Sequence, residues 1–350
     1  VAGYRPTFND SFTILTAAGG RTGTFTTTAF SAILSPQLTY SANAVTVRIA
    51  AATYASVINT GSPIQQAYAQ LLDQNRSNYA ELADVYGDLD MLSATAIRAN
   101  LEALAPQNIP LVGDLGRASS DVLSSFIRQR IANANGARGG GRIASYGQPL
   151  QLASLAISTP MLAATATDAG NGMRMSDGAI AEDMSIYLAG GYVDGRGTGL
   201  PTATPTGRSN FDGFYLSAGM EKSLGEDSFL GLSMGYVDLD GRSVASLATA
   251  GGRLVQGTLY GATGLGGGMT LDGQISAGQY RSTTTRIVPV GPSTFTLRAQ
   301  DSVLNFTSEL GLSFEAGNDH VAVTPRASIR YNSLGFTPTA ESGNGPALQY

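Results

Sequence analysis

The chain has 350 residues, a formal net charge of −5, 13% charged residues, 44 glycines, a single histidine and no cysteine or tryptophan. Soluble domains carry about 25% charged residues, so this composition does not suit an ordinary cytosolic enzyme. The acidic balance offers nucleic acid no basic surface, and without cysteine neither a disulfide nor a thiolate metal site is possible.

The first residues, Val1-Ala2-Gly3-Tyr4-Arg5-Pro6, have no basic stretch followed by an apolar one, so an export signal is expected upstream. Residues 1–55 then read as short strands between small-residue turns. Ser11-Phe12-Thr13-Ile14-Leu15-Thr16 precedes a Gly-Gly turn, and Ala44-Val45-Thr46-Val47-Arg48-Ile49 alternates Val45, Val47 and Ile49 against Thr46 and Arg48. Alternation with tight corners suits the rungs of a β-solenoid.

Residues 56–183 change period. Ser62-Pro63-Ile64-Gln65 has the cap, first-turn proline and reciprocal glutamine of a helix start, and Ile64, Ala67, Tyr68, Leu71 and Leu72 share a face. A second helix is predicted through Leu82, Val85, Leu89, Leu92 and Ala96, ending before Pro106. A third runs from about Arg117 to Asn133, with Val122, Leu123, Phe126, Ile127 and Ile131 on one side and Arg117, Arg128 and Arg130 beside them. Gly136 to Asp183 is rich in small residues and reads as mostly irregular.

From Met184 to Tyr350 the period is 2 again. Leu230, Leu232, Met234 and Tyr236 alternate with Gly231, Ser233 and Gly235; Leu304, Phe306, Leu310, Leu312 and Phe314 alternate with Asn305, Thr307, Glu309 and Ser313. Val321, Val323, Ile329 and Tyr331 alternate with Arg326 and Arg330. No run of about eighteen apolar residues exists for a spanning helix, but barrel strands need apolar residues only at alternate positions. Strands are predicted near 184–196, 210–223, 228–240, 253–264, 269–285, 297–316 and 320–337, with an eighth beginning at Leu348-Gln349-Tyr350. The predicted links alternate long and short, as in outer-membrane barrels whose long loops face outward. On this reading Leu232, Phe306, Leu312, Val323 and Ile329 face lipid, and Ser233, Asp272, Glu309, Arg326 and Arg330 face the lumen.

The chemical motifs favour structural roles. Gly231-Leu232-Ser233-Met234-Gly235 fits the G-x-S-x-G pattern, but a nucleophile elbow needs a turn and then a helix, and here the alternation runs straight on. His320, the one histidine, is expected in a short turn. Gly139-Gly140-Gly141 and Gly266-Gly267-Gly268 lack the strand-then-helix setting of a phosphate loop. Asp84, Asp88 and Asp90 do not match a calcium-loop spacing.

The order of these blocks resembles the autotransporter family of type V secretion. Tyr4-Arg5-Pro6 with Asp10-Ser11-Phe12-Thr13-Ile14-Leu15-Thr16, and Leu38-Thr39-Tyr40-Ser41-Ala42-Asn43-Ala44-Val45-Thr46-Val47, are similar to the end of family passengers. Leu71-Leu72-Asp73 and Phe126-Ile127-Arg128-Gln129-Arg130-Ile131 resemble the segment before the barrel, and the alternating strands resemble the translocator. The resemblance implies an all-β protein with a helical connector: a transmembrane antiparallel β-barrel, incomplete at the strands counted, preceded by helices and the end of a β-solenoid. It also implies a home in the bacterial outer membrane, with residues 1–55 at the cell surface. The implied partners are outer-membrane lipid, the barrel-assembly machinery and the protein's own passenger. A helix through the lumen, with Arg117, Phe126, Arg128 and Arg130, is implied as well; Arg128 and Arg130 would meet inward carboxylates such as Glu309 and Asp272. The Asn-Asn pair at which some members cut themselves is replaced by Asn133-Ala134-Asn135. No cofactor, metal, nucleic acid, small-molecule substrate or catalytic residue is expected. The rival readings are a surface adhesin anchored by its barrel and a hydrolase whose catalytic part lies upstream of Val1.

Overall fold

The computed structural model describes residues 4–58, 61–106, 108–134, 142–147, 150–151, 173–174, 183–197, 209–243, 247–318, 321–336, 339–345 and 347. Its N-terminal unit begins with β1 (Ser11–Thr16), β2 (Leu34–Tyr40) and β3 (Ala44–Ala51), in the order β1-β3-β2. Both pairings are antiparallel. The rungs of a solenoid stack in parallel, so the expectation of solenoid rungs is corrected: the local alternation is right, but the Ser41-Ala42-Asn43 corner folds β2 back on β3 as a hairpin.

Helices α1 (Tyr54–Val57), α2 (Pro63–Gln74), α3 (Ala83–Leu89) and α4 (Ala94–Ala103) follow. The capping box at Ser62 and Gln65 forms as the sequence predicts, but the face does not. α2 buries Gln65, Ala69 and Leu72 and leaves Leu71 exposed. Gln65 tolerates burial because its amide donates to Arg98 O at 3.1 Å and Glu102 Oε2 at 2.8 Å. The second predicted helix is two, divided where Ser93 caps α4 by accepting from the Ala96 N–H. Ile33, Leu34 and Ile49 of the small sheet share one apolar core with Tyr54, Leu72, Tyr86, Leu89, Ile97 and Leu101 of the helices. The expected domain boundary at residue 55 therefore cuts through a core.

α5 (Asn108–Ala134) has 27 residues and begins well before Arg117. Pro110 lies in its first turn, where no N–H partner is lost. Short strands β4 (Arg142–Gly147), β5 (Leu150–Gln151) and β6 (Met173–Arg174) occupy part of the stretch expected to be irregular.

The large sheet is built from β7 (Met184–Arg196), β8 (Asn210–Ser223), β9 (Ser228–Arg242), β10 (Ala248–Gly266), β11 (Met269–Val290) and β12 (Ser293–Phe314), each antiparallel to the next. β13 (Ala316–Asn318) and β14 (Val321–Val323) form a separate hairpin, and β15 (Arg326–Leu334) returns to pair with β12. β16 (Ser342–Gly343) adds to β12, while β4 and β5 pair in parallel with β7. Among the described residues the sheet runs from β15 to β6 without closing.

The expected long-short alternation of links holds only in part. The link 197–209 is long and β10 and β11 turn tightly through Gly267-Gly268 as expected, but residues 243–247 alone separate β9 from β10, and β11 and β12 turn through Gly291-Pro292. The residues assigned to long loops continue the strands instead, so that β11 and β12 reach 22 residues each. Runs such as Thr283-Thr284-Thr285 and Ile287-Val288 favour extended backbone, and both ends of the ladder keep their partners. His320, Asn135, Gly139–Gly141 and Leu348–Tyr350 lie outside the described residues.

Candidate functional site

α5 is buried on nearly all sides and is nonetheless two-faced. Leu111, Leu115, Val122, Leu123, Phe126, Ile127 and Ile131 pack on Tyr187, Phe211, Tyr215, Val237, Leu239 and Leu254 of β7 to β10. The rings of Phe126, Tyr187 and Tyr215 meet at centroid distances of 5.7 and 5.9 Å. The other side carries Ser120 and Ser124, both buried, and meets the polar wall of β11, β12 and β15. Ser120 Oγ lies 2.9 Å from Thr307 Oγ1, Gln274 donates to Ser124 O at 3.2 Å, and Arg330 donates to Ser124 Oγ at 3.3 Å. A helix buried all round is normally apolar all round; this one matches a concave surface that is apolar on one side and polar on the other.

The approach is close because the sheet lacks side chains where the helix bulges. A Cβ on Gly235 would stand 2.6 Å from Leu123 Cδ2, and one on Gly241 would stand 2.8 Å from Leu111 Cδ1. Charges fix the register. Arg128 Nη1 meets Glu309 Oε2 at 2.7 Å, Arg326 bridges Asp272 at 2.6 Å and Glu309 at 3.1 Å, and Arg330 meets Asp121 at 2.5 Å. Arg130 grips Glu221 with two bonds of 2.8 and 2.7 Å and lies 3.9 Å over the Tyr187 ring. The expected Asp272 partner for the helix is thus replaced: Asp272 is taken by Arg326, and Arg130 turns to β8. Arg117 pairs with Asp114 on its own helix.

The helix has a direction. Its first residue, Asn108, donates to Thr284 at 3.3 Å, in the half of β11 that leads to the Gly291-Pro292 turn. Arg130, near its other end, meets Glu221 and Tyr187 beside the short link 224–227. No described helix is long and apolar enough to cross a membrane.

Residues 190–350, from the middle of β7 onward, match the family model of the autotransporter beta-domain. Among solved structures, the translocator domain of the autotransporter NalP from Neisseria meningitidis aligns at 15% identity with a TM-score of 0.37. The alignment covers 49% of this chain and 59% of that one, and a likeness this low adds nothing to the assignment. No curated protein matches the chain.

The two faces of the large sheet separate cleanly. Leu232, Phe306, Leu312 and Ile329 stand on the convex face, exposed by 53, 41, 46 and 75%, while Val323, 58% exposed, lies on the separate β13–β14 hairpin. Leu188, Leu216, Met234, Leu259 and Ile275 stand with them. Ser233, Asp272 and Glu309 are buried on the concave face, and Arg326 and Arg330 reach into it through the ion pairs above. Ser233 Oγ lies 3.1 Å from Ser217 Oγ on the neighbouring strand; its backbone runs straight through β9, without the sharp turn of a nucleophile elbow.

The sequence reading missed Glu221, Tyr260, Tyr187 and Asp121. Tyr260 donates to Glu221 at 2.7 Å beneath Arg130. Glu221 sits at an inward position of β8, and the same alternation that selected Glu309 selects it too; which acid an arginine meets depends on helix rotation, which period-2 counting does not carry. Asp84, Asp88 and Asp90 hold no metal-binding geometry among the described residues. Asp88 pairs with Arg5 at 2.7 Å, and Asp90 with Arg76 at 2.6 Å.

Proposed function

We propose that this chain is the translocating end of an autotransporter: a barrel domain in the bacterial outer membrane that carries α5 through its lumen and holds the N-terminal unit, residues 1–55 included, at the cell surface. One observation carries the reading: α5 is sheathed by the concave face of a sheet whose convex face is apolar and exposed. Water-soluble sheets bury an apolar face; this sheet displays one, as a lipid-facing band requires. At 1.5 Å per residue, the 27 residues of α5 extend about 40 Å, enough for a hydrocarbon core of about 30 Å.

The polarity of the helix supports the orientation. Its start lies with the N-terminal unit and its end lies where β7 begins, so the chain crosses once inside the sheet before entering it. Outer-membrane lipid, the barrel-assembly machinery and the protein's own passenger are the partners this role requires. Within these residues the role is transport and anchoring; an adhesive or hydrolytic activity would belong to an upstream passenger.

Single cysteines test the reading in intact outer membranes. Cysteines at Leu232, Phe306, Leu312, Val323 and Ile329 are expected to react with a lipid-soluble maleimide. Cysteines at Ser233 and Glu309 should be reached only by a water-soluble one after α5 is displaced. The reverse pattern would turn the sheet inside out and end the proposal.

A further inference from the structure

A tilted strand crosses a bilayer in about 9–11 residues, yet β11 and β12 have 22 each. The surplus keeps full register, with Arg286 opposite Leu297 and Val288 opposite Phe295, and closes at Gly291, whose φ of 55° suits glycine. Its buried face does not meet α5. Val288, Val290, Phe295 and Leu297 lie in the core of the N-terminal unit, with Leu89, Ile97, Leu101 and Leu104. Its other face, at Ile287, Thr294 and Thr296, is exposed.

Polar contacts sharpen the fit. The Gly291 N–H donates to Asn100 Oδ1 of α4 at 2.8 Å. Arg286, 2% exposed, donates to Leu104 O at 2.8 Å and pairs with Glu341 at 3.0 and 2.6 Å. Leu104 is the C-cap of α4, so this buried arginine grips the chain just before it becomes α5.

We infer that the β11–β12 extension is a docking platform on which the N-terminal unit completes its core after export. The inference rests on the translocator reading. The unit's helices, of 4, 12, 7 and 10 residues, are too short to persist alone, since isolated helices under about 12–15 residues are marginal in water. Away from the platform, Leu89, Ile97, Leu101 and Leu104 lose the apolar surface that covers them. The platform exists only at the end of the sheet where α5 begins, so on the other side of the membrane the unit lacks its last wall and stays unfolded, which passage through a narrow lumen requires.

The test uses the full-length protein in a Gram-negative outer membrane. Val288→Asp with Leu297→Asp is compared with the opposite-face control Ile287→Asp with Thr296→Asp. Heat-modifiable migration reports the barrel, and protease added to intact cells reports the fold of residues 4–106. The wild type and the control are expected to yield a resistant surface fragment. The inward variant should keep a heat-modifiable barrel while its surface unit is cut about tenfold faster, because cleavage follows the population of open forms. Equal resistance in the inward variant overturns the inference. Should that variant fail to assemble, the milder Val290→Ser with Phe295→Ser takes its place, and failure of both would assign the extension to barrel assembly and overturn the platform. A wild type with no part of residues 4–106 outside the cell would instead sink the translocator reading itself.

Discussion

Arg128 and Arg130 are separated by one residue and therefore leave the helix in different directions, towards Glu309 on β12 and Glu221 on β8. Glu309 is buried and Glu221 partly so; removing the partner of a buried charge costs about 3–5 kcal/mol, against less than about 1 kcal/mol for an exposed pair. Arg128→Glu with Arg130→Glu would set like charges against each other on opposite sides of the helix. The expected result in planar bilayers is frequent opening events where the wild type is quiet, with a lower temperature for loss of the heat-modifiable form; a silent trace would mean the arginines are dispensable to the plug. Ser233 is a control of the opposite kind. Its hydroxyl lies against the Ser217 hydroxyl of the neighbouring strand, so Ser233→Ala should leave any ester hydrolysis by the full-length protein unchanged, measured with a chromogenic short-chain ester.

At the scale of elements, α5 and the sheet are complementary along their whole contact: leucine against glycine, serine against threonine, arginine against glutamate. Such a helix fills the concave side of the sheet as a core fills a domain, so its removal should leave a cavity rather than a collapse, because the strands hold one another through their ladder. Deleting residues 117–134 is expected to leave a heat-modifiable barrel with stepwise ion conductance in planar bilayers. Unchanged conductance would place the helix outside the pore and hand the role to residues 150–183. The outward alternation of β8 to β12 was legible by eye, because a strand exposed to lipid on one side must repeat its apolar residues at every second position. The lengths of β10 to β12 were not, because alternation looks the same whether its buried face meets a lumen or another unit.

At the scale of the molecule, two cores share one chain: the core around α5, and the core in which β2, β3, α1–α4 and the β11–β12 extension meet. The second is pinned by Arg76, which pairs twice with Asp90 and lies 4.6 to 5.3 Å from the rings of Tyr86, Tyr54 and Phe8. Tyr54 donates to the same carboxylate at 2.6 Å. Burial first, then the charge of Asp90 and this hydrogen bond, push the Tyr54 phenol far above its ordinary value; burial raises Tyr86 as well. A folded-state pKa above the unfolded value of about 10 makes this contribution complete below about pH 10 and lost as pH rises further. Protease resistance of residues 4–106 on membranes should therefore hold from neutral pH to about pH 10 and fall beyond it. Tyr54→Phe should raise that threshold while costing about 1 kcal/mol at neutral pH. A threshold that does not move would locate the alkaline transition in other groups.

The sequence by itself determined the strand-rich character, the presence of a helical connector and which residues of each long strand share a face, since these follow from periods of 2 and 3.6 and from caps such as Ser62 and Gln65. It marked Arg128 and Glu309 as partners through the family resemblance. Only the tertiary structure decided that β1–β3 pair antiparallel, that Arg130 meets Glu221 instead of Asp272, that α5 begins at Asn108, and that Val288 and Leu297 belong to the N-terminal core. The physical reason is common to all four. Periodicity is a property of neighbours along the chain, whereas strand direction, helix rotation and the identity of a buried face's partner depend on residues distant in sequence, which meet only when the chain has folded.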